Sequence, residues 1–515
     1  MRQFTRMSGP VAPLALLLAA VVGWLSTLTA QQSDRGPGRQ IISDLTGPGI
    51  DRGLRANDPP RPARLAARRW VEAAGSSEYL SGSLIVRFRP GTSNALQRAM
   101  LAQVDGTAGP TLSYADFEIV TLAAGDPEAA AQRLRVQPDV EYAQPRYRVR
   151  AMSAPNDPFY TLQWNYPQLG MDRAWDINNG GSSNVVVAIL DTGVAFRSAV
   201  LRYTGIAWQR DDGVMFPALG PVDIPFAPAP DLGAERFVAP RDFIWDDQLP
   251  FDMSGHGTHV AGTIGQLTNN GVGGAGMASN VRLMPVKVID SEWDFIFNSP
   301  FVGTDDTVAR GIRYAADNGA DVINMSLGRT GPPAPAVESA VAYAVSHGSF
   351  VAVAGGNEFD GGTQRLAEFA PRIDGMVAVG ATGRDRLRAS YSVQGSFIEL
   401  VAPGGDFARG GSAGGILQQT LDLELVETYT GSVARYRAPR FDVFAHYYFE
   451  GTSMSTPHVS GLAALLADQG VTSPGAIEAI MKQTATDLGA AGRDDEYGYG
   501  LINPRAALRG MGLAK

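Results

Sequence analysis

The apolar positions of this 515-residue chain follow two regimes, and the change falls near residue 150. Before it, Leu84, Ile85, Val86 and Phe88 make a short strand-like run closed by Pro90 and Gly91. A helix-compatible stretch at residues 95–104, a strand at 117–122, an Ala-rich helix at 126–135 and a strand at 140–142 follow. Strands interleaved with two helices predict a small α+β module over residues 78–150. After it, continuous apolar runs rich in β-branched residues recur at 184–190, 282–289, 321–325, 350–353 and 376–379. Such runs lack the alternation of a strand with one wet face and predict strands buried on both sides. Helical stretches at 258–267, 307–318 and 336–347 lie between several of them. The fold class is therefore α/β, a mostly parallel sheet with helices on both faces, over residues 151–515. Sheets of this kind carry their chemistry at the carboxyl ends of the strands. Two segments interrupt the alternation, residues 201–250 (rich in Pro and Asp) and 404–448 (Gly-rich, then aromatic), and both read as surface loops or a flap. Residues 31–77 are rich in Gly, Pro and Arg without a period and read as a flexible linker.

The N-terminus adds an address. Arg2 and Arg6 precede an apolar stretch at residues 11–28 and a small, polar run ending at Ala30, the layout of a signal peptide over residues 1–30. This predicts export, secreted or periplasmic. The stretch is also nearly long enough to span a bilayer, so a retained N-terminal anchor is the alternative, and only then does the protein meet a membrane. With 44% hydrophobic and 18% charged residues the chain is a folded globular protein and not a disordered one. Cysteine is absent, which excludes disulfides, a thiolate nucleophile and cysteine metal sites. Charge divides with the pattern: residues 1–150 hold 18 basic and 13 acidic side chains, the remainder 25 and 39. An acidic main body without clustered cations argues against nucleic acid as a partner. Opposite signs on two parts of one chain suit docking of one on the other.

Four segments hold reactive side chains at strand ends or helix starts. The run before Asp191-Thr192-Gly193 delivers Asp191 at a strand end, where it can orient a histidine or simply cap a turn. In Gly255-His256-Gly257-Thr258-His259, His256 is flanked by glycines and can reach a cleft as general base, while His259, a helical turn on, supports it from the core. The pair lacks the HExxH pattern of a zinc site. Ser453 in Gly451-Thr452-Ser453-Met454 opens an apolar helix, where it serves as nucleophile or as N-cap; His458 within that helix is structural. The Ser453 N–H, at a helix N-terminus, points toward an anion. Asn357 follows a buried strand and Ala354-Gly355-Gly356, and its amide can donate to a developing oxyanion or close a turn. An aspartic-protease reading of Asp191-Thr192-Gly193 requires a second such triplet, which the chain lacks.

Together the four segments resemble the subtilisin family of serine proteases, whose triad runs Asp, His, Ser along the chain. The likeness spans about residues 155–510, from Pro155-Asn156-Asp157-Pro158-Phe159 to Tyr497-Gly498-Tyr499-Gly500. It implies Asp191 as orienting carboxylate, His256 as general base and acid, and Ser453 as nucleophile, with Asn357 and the Ser453 N–H as the oxyanion hole. It also implies Ser326, Leu327 and Gly328 as the substrate strand and pocket wall, with Ala354, Gly355 and Gly356 opposite. The family requires no cofactor for chemistry and admits structural calcium. Here Ala195-Phe196-Arg197-Ser198 stands where a His-Pro-Asp stretch usually helps to shape a calcium site, so no metal ligand is assigned. The front module resembles the family's propeptide, an intramolecular inhibitor and folding aid whose tail is cut between Tyr147 and Pro155; a permanent accessory domain is the alternative. The implied protein is a secreted serine endopeptidase, made as an autoprocessed zymogen, that cleaves peptides or proteins through an acyl-enzyme. Capture of that acyl-enzyme by an amine, or a peptide-binding descendant without catalysis, are the rival outcomes. Glu358, beside Asn357, would favour a basic side chain in the primary pocket.

Overall fold

The computed structural model describes residues 39–44, 79–110, 113–147, 154–209, 213–357, 364–423, 428–430, 433–435 and 437–510. The chain forms two compact units, residues 51–154 and residues 1–50 together with 155–515. The first described strand, β1 (Arg39–Asp44), belongs to the larger unit although it precedes the smaller one in the chain.

The smaller unit is a four-stranded antiparallel sheet with two helices. Its strands are β2 (Tyr79–Phe88), β3 (Gly106–Ala108), β4 (Glu118–Leu122) and β5 (Val140–Tyr147), in the order β3-β4-β2-β5. Helix α1 (Asn94–Ala102) starts where the Ser93 hydroxyl accepts from the Leu96 N–H. Helix α2 (Pro127–Arg135) starts on the Asp126 carboxylate, which accepts from Ala129 N–H, and has Pro127 in its first turn, where no N–H partner is needed. Leu84, Val86, Val120, Ala131 and Leu134 are buried between sheet and helices. The α+β module is thus as its pattern predicts, with the three-residue strand β3 added.

In the larger unit a seven-stranded sheet runs in the order β11-β12-β6-β13-β14-β15-β16, every pair parallel. These strands are β6 (Val186–Asp191), β11 (Arg241–Asp242), β12 (Arg282–Lys287), β13 (Val322–Met325), β14 (Phe350–Ala354), β15 (Met376–Thr382) and β16 (Leu400–Pro403). Strand β6 explains why its sequence shows no polar alternation: Val187 and Ile189 enter one core and Val186, Ala188 and Leu190 the other. The first core is covered by α3 (His256–Gly265) and α6 (Thr452–Asp468), the second by α4 (Asp305–Asp317) and α5 (Pro335–Ser346). Among the described residues no helix is long and apolar enough to cross a membrane; the stretch expected to be a signal or anchor lies outside them.

The two interruptions and part of the expected linker differ from their reading. Residues 201–250 and 404–448 are not simple loops. Strand β7 (Ala199–Tyr203) pairs antiparallel with β10 (Val222–Phe226) on one side and with β1, from the stretch read as linker, on the other. Strands β8 (Trp208–Gln209) and β9 (Met215–Phe216) join β18 (Thr428–Thr430) and β19 (Val433–Arg435) from the second interruption in one sheet, ordered β18-β19-β9-β8. At the base of the second, β17 (Ile416–Leu421) pairs antiparallel with β20 (Phe444–Phe449). Phe226 and Phe441 bridge the two interruptions with rings stacked 5.0 Å apart. Strands of two to six residues are too short to show a period, which is why the pattern reads as loop.

Candidate active site

Strands β6, β13 and β14 are neighbours in the sheet, so their carboxyl ends open side by side. The first ends in Asp191, the second leads into Ser326-Leu327-Gly328, the third into Gly355-Gly356-Asn357. Helices α3 and α6 begin above these ends, bringing His256 and Ser453 into their first turns.

Asp191 is fully buried, and its Oδ1 lies 2.7 Å from His256 Nδ1 and accepts from the Thr192 N–H at 2.7 Å. Contact this close depends on Gly257: a Cβ there would lie 2.0 Å from the Gly193 carbonyl oxygen and 3.1 Å from Asp191 Oδ1. The start of α3 is fixed by a residue that the motifs do not flag. Asp252, 1% exposed, accepts from the N–H groups of Ser254, Gly255 and Thr258 and from the hydroxyls of Thr192 and Thr258. It thus ties the first turn of the histidine's helix to the residue after Asp191. Burial pulls the His256 pKa down, the charge and hydrogen bond of Asp191 push it up, and the net direction is up.

Ser453 sits at the second position of α6, and its N–H has no acceptor among the described residues. Its hydroxyl donates to the Ser326 carbonyl at 3.2 Å and not to His256. The Ser453 carbonyl would ordinarily accept from the N–H four residues on, but that residue is Pro457, which has none. The Ser326 hydroxyl fills the gap, donating to Ser453 O at 2.8 Å. Ser326 Oγ in turn accepts from Asn324 Nδ2 at 3.0 Å, and Asn324 Oδ1 accepts from Ser460 Oγ at 2.8 Å. Asn324, Ser326 and Ser460 are buried and form a polar seam between β13 and α6.

The Asn357 amide has one possible orientation. Its Oδ1 accepts from Thr452 N–H at 2.8 Å and from Thr452 Oγ1 at 2.9 Å, so Nδ2 is the end left to donate elsewhere. Thr452 Oγ1 also accepts from Gly356 N–H at 3.0 Å, locking the end of β14 to the start of α6. Close to both Gly328 and Gly356 lies Gln364, 5% exposed: a Cβ on Gly356 would lie 2.4 Å from its Cγ, and one on Gly328 would lie 3.2 Å from its Oε1. Glu358, the expected source of a preference for basic side chains, lies outside the described residues.

Two other histidines, His259 and His458, are packed into the body. His259 places Nε2 3.0 Å from Ile416 O and 3.1 Å from Tyr447 O, and burial pushes its pKa down to about 3. His458 joins Met454 O and the Asn165 amide and is pushed by burial down to about 4. Neutral and walled in, both serve packing. Asp157 and Asp231, both buried, meet the loop at residues 266–274. Asp157 accepts from the N–H groups of Asn269, Asn270 and Gly271, and Asp231 from the side-chain amides of Gln266 and Asn270. Among the described residues no three His, Cys, Asp or Glu side chains are grouped to hold a metal.

A subtilase family model matches residues 182–500, the span holding Asp191, His256, Ser326, Asn357 and Ser453. The chain belongs to the subtilase family. It is a subtilisin-like serine protease, and a second model, the Fervidolysin N-terminal prodomain, matches residues 66–146 over the smaller unit. A thermophilic serine proteinase of Bacillus sp. (strain AK1) is 34% identical over 432 residues, 84% of this chain and 88% of that one. Thermitase of Thermoactinomyces vulgaris is 32% identical over 356 residues, covering 69% of this subtilase and 99% of thermitase. Among solved structures, proteases from Pseudoalteromonas arctica match with a TM-score of 0.52 at 29% identity, over 70% of this chain and 99% of theirs.

Proposed function

We propose that this subtilase is an exported endopeptidase, made as a zymogen that cuts itself between Tyr147 and Pro155, with Ser453, His256 and Asp191 as its triad. The observation that carries the reading is the 2.7 Å contact of a fully buried Asp191 with His256 Nδ1, which leaves Nε2 as the basic nitrogen. A substrate strand laid along Ser326-Leu327-Gly328 takes the Ser326 carbonyl for its own N–H and frees the Ser453 hydroxyl to turn to His256. Ser453 Oγ then attacks the peptide carbonyl as its proton passes to His256, and Asp191 stabilises the imidazolium. The oxyanion is held by Asn357 Nδ2 and the Ser453 N–H. Collapse breaks the C–N bond as His256 returns the proton to the leaving amine, and water releases the acyl group by the reverse sequence. Ala354, Gly355 and Gly356 form the far wall for the substrate side chain, and the prodomain acts as intramolecular inhibitor and folding aid until the chain is cut.

The test is intact mass and peptide turnover at neutral pH for wild type and single variants. Wild type sheds a fragment ending between residues 147 and 155, and Ser453→Ala stays whole. On peptide substrates Ser453→Ala or His256→Ala loses about a million-fold in kcat and Asn357→Ala about a hundred- to thousand-fold, the sizes such losses take in subtilisin itself. A Ser453→Ala protein that cuts itself, or keeps a tenth of wild-type turnover, overturns the assignment.

A further inference from the structure

The strand before the prodomain and the cut proposed after it have a joint consequence. Strand β1 lies upstream of the smaller unit yet belongs to the larger one, where it pairs antiparallel with β7: Arg39 opposite Tyr203, Gln40 opposite Arg202, Ile41 opposite Leu201, then Ser43 opposite Val200 and Asp44 opposite Ala199 after a bulge. The opposite edge of β7 is taken by β10, and among the described residues only β1 pairs with the first edge. That edge is firmly held from below. Leu201 and Tyr203 are fully buried, and the Tyr203 ring stacks on Phe297 at 4.4 Å. The body therefore offers a preformed strand edge, and a segment covalently continuous with the prodomain occupies it.

We propose that β1 is a docking arm that keeps the severed propeptide on the enzyme. A cut between Tyr147 and Pro155 frees the prodomain from the body at its C-terminal end only. Its N-terminal end runs back through residues 45–78 to β1, which remains paired with β7. The fragment then holds on at two places, the cleft and the β7 edge, and each raises the effective concentration of the other to the millimolar range. Inhibition by the cut propeptide consequently behaves as an intramolecular equilibrium, and full release needs the strand to leave or a second cut within residues 45–78. This rests on the zymogen reading above.

The experiment compares wild type with Gln40→Pro/Ile41→Pro. Neighbouring N–H groups of a strand point to opposite edges, so the pair of prolines removes one that faces β7. Both proteins are matured, their cut confirmed by intact mass, then diluted a hundredfold and assayed on a small peptide. Wild type is expected to keep the same activity per molecule, and the variant to gain on the order of tenfold as its fragment dissociates. A synthetic peptide of residues 39–44 at millimolar concentration is expected to make matured wild type sensitive to dilution as well, which tests the same edge without a substitution. A cut wild type that gains activity on dilution without the peptide, as the variant does, overturns the arm and leaves the zymogen reading intact. A wild type whose mass shows no cut overturns both.

Discussion

The seam between Ser326 and α6 can be tested by stranding its members one at a time. Ser326→Ala removes the hydroxyl that donates to the Ser453 carbonyl, 2.8 Å away, and the acceptor of the Asn324 amide at 3.0 Å, with Ser326 2% exposed and Asn324 fully buried. Each buried polar group left without a partner costs about 1–3 kcal/mol. Some relaxation is available to Asn324, which keeps Ser460, so the expected loss is about 2–4 kcal/mol. The diagnosis that Pro457 creates the vacancy supplies a second arm. Pro457→Ala restores an N–H four residues from Ser453, which can take over the carbonyl; in that background Ser326→Ala should cost about 1–2 kcal/mol less. The assay is equilibrium urea unfolding of the full-length chain carrying Ser453→Ala, so that self-digestion cannot contribute and the backbone carbonyl is retained. An equal cost of Ser326→Ala with and without Pro457 would refute the reasoning, because the hydroxyl would then be doing something other than replacing the missing N–H.

Three further outcomes follow from named contacts. Asp191→Asn removes the charge that lifts the His256 pKa against burial, so the acid limb of kcat/KM moves to lower pH while turnover falls by about ten-thousand-fold; an unmoved limb in a pH profile contradicts the pairing. Gln364→Ala opens the space between Gly328 and Gly356 and should raise the kcat/KM ratio for Phe over Ala substrates on the order of tenfold, read from paired peptides. Glu399, 4% exposed, is pushed by burial up to about 7 despite Lys482 at 2.6 Å. A carboxyl raised in this way holds a proton in the folded state that the unfolded chain has released, so it lowers stability as pH climbs from about 4.5 to 7. Glu399→Gln should flatten that decline in urea midpoints at pH 5 and 7.5, and an unchanged slope counts against the assignment.

The central sheet was legible because strands covered on both faces have no position for a polar residue, as Val186 to Leu190 show. Helix beginnings were less so. Helix α3 starts at His256, two residues before its apolar period, because Asp252 gathers the N–H groups of its first turn from outside the helix. Helix α6 starts at Thr452, seven residues before the mostly apolar stretch at 459–466, since Ser455, Thr456 and His458 are polar by composition yet fully buried. At the site, residues inside short motifs stood out: Asp191, His256, Ser453, Asn357. The ones that position them did not. Asn324 meets Ser460 across 136 residues of chain, and Ser326 meets Ser453 across 127. No local spacing encodes such a pairing. Asp252 did leave a trace, a carboxylate just ahead of a helix, but the same trace marks many ordinary caps. Strand β1, two isoleucines between Arg39-Gln40 and Ser43-Asp44, carries too short a pattern to separate from its Gly- and Pro-rich surroundings.

The sheet shared by the two interruptions bears on how the protein can be assembled and altered. Strands β8 and β9 emerge early in synthesis, and β19 arrives only after most of the large sheet has been made, so the earlier pair waits with an unsatisfied edge through much of translation. Such an edge invites pairing with a second nascent chain. Trimming the later segment alone, a natural step toward a shorter enzyme, would make that transient exposure permanent. The soluble minimal protein is therefore expected to be one from which both segments are removed together, or neither.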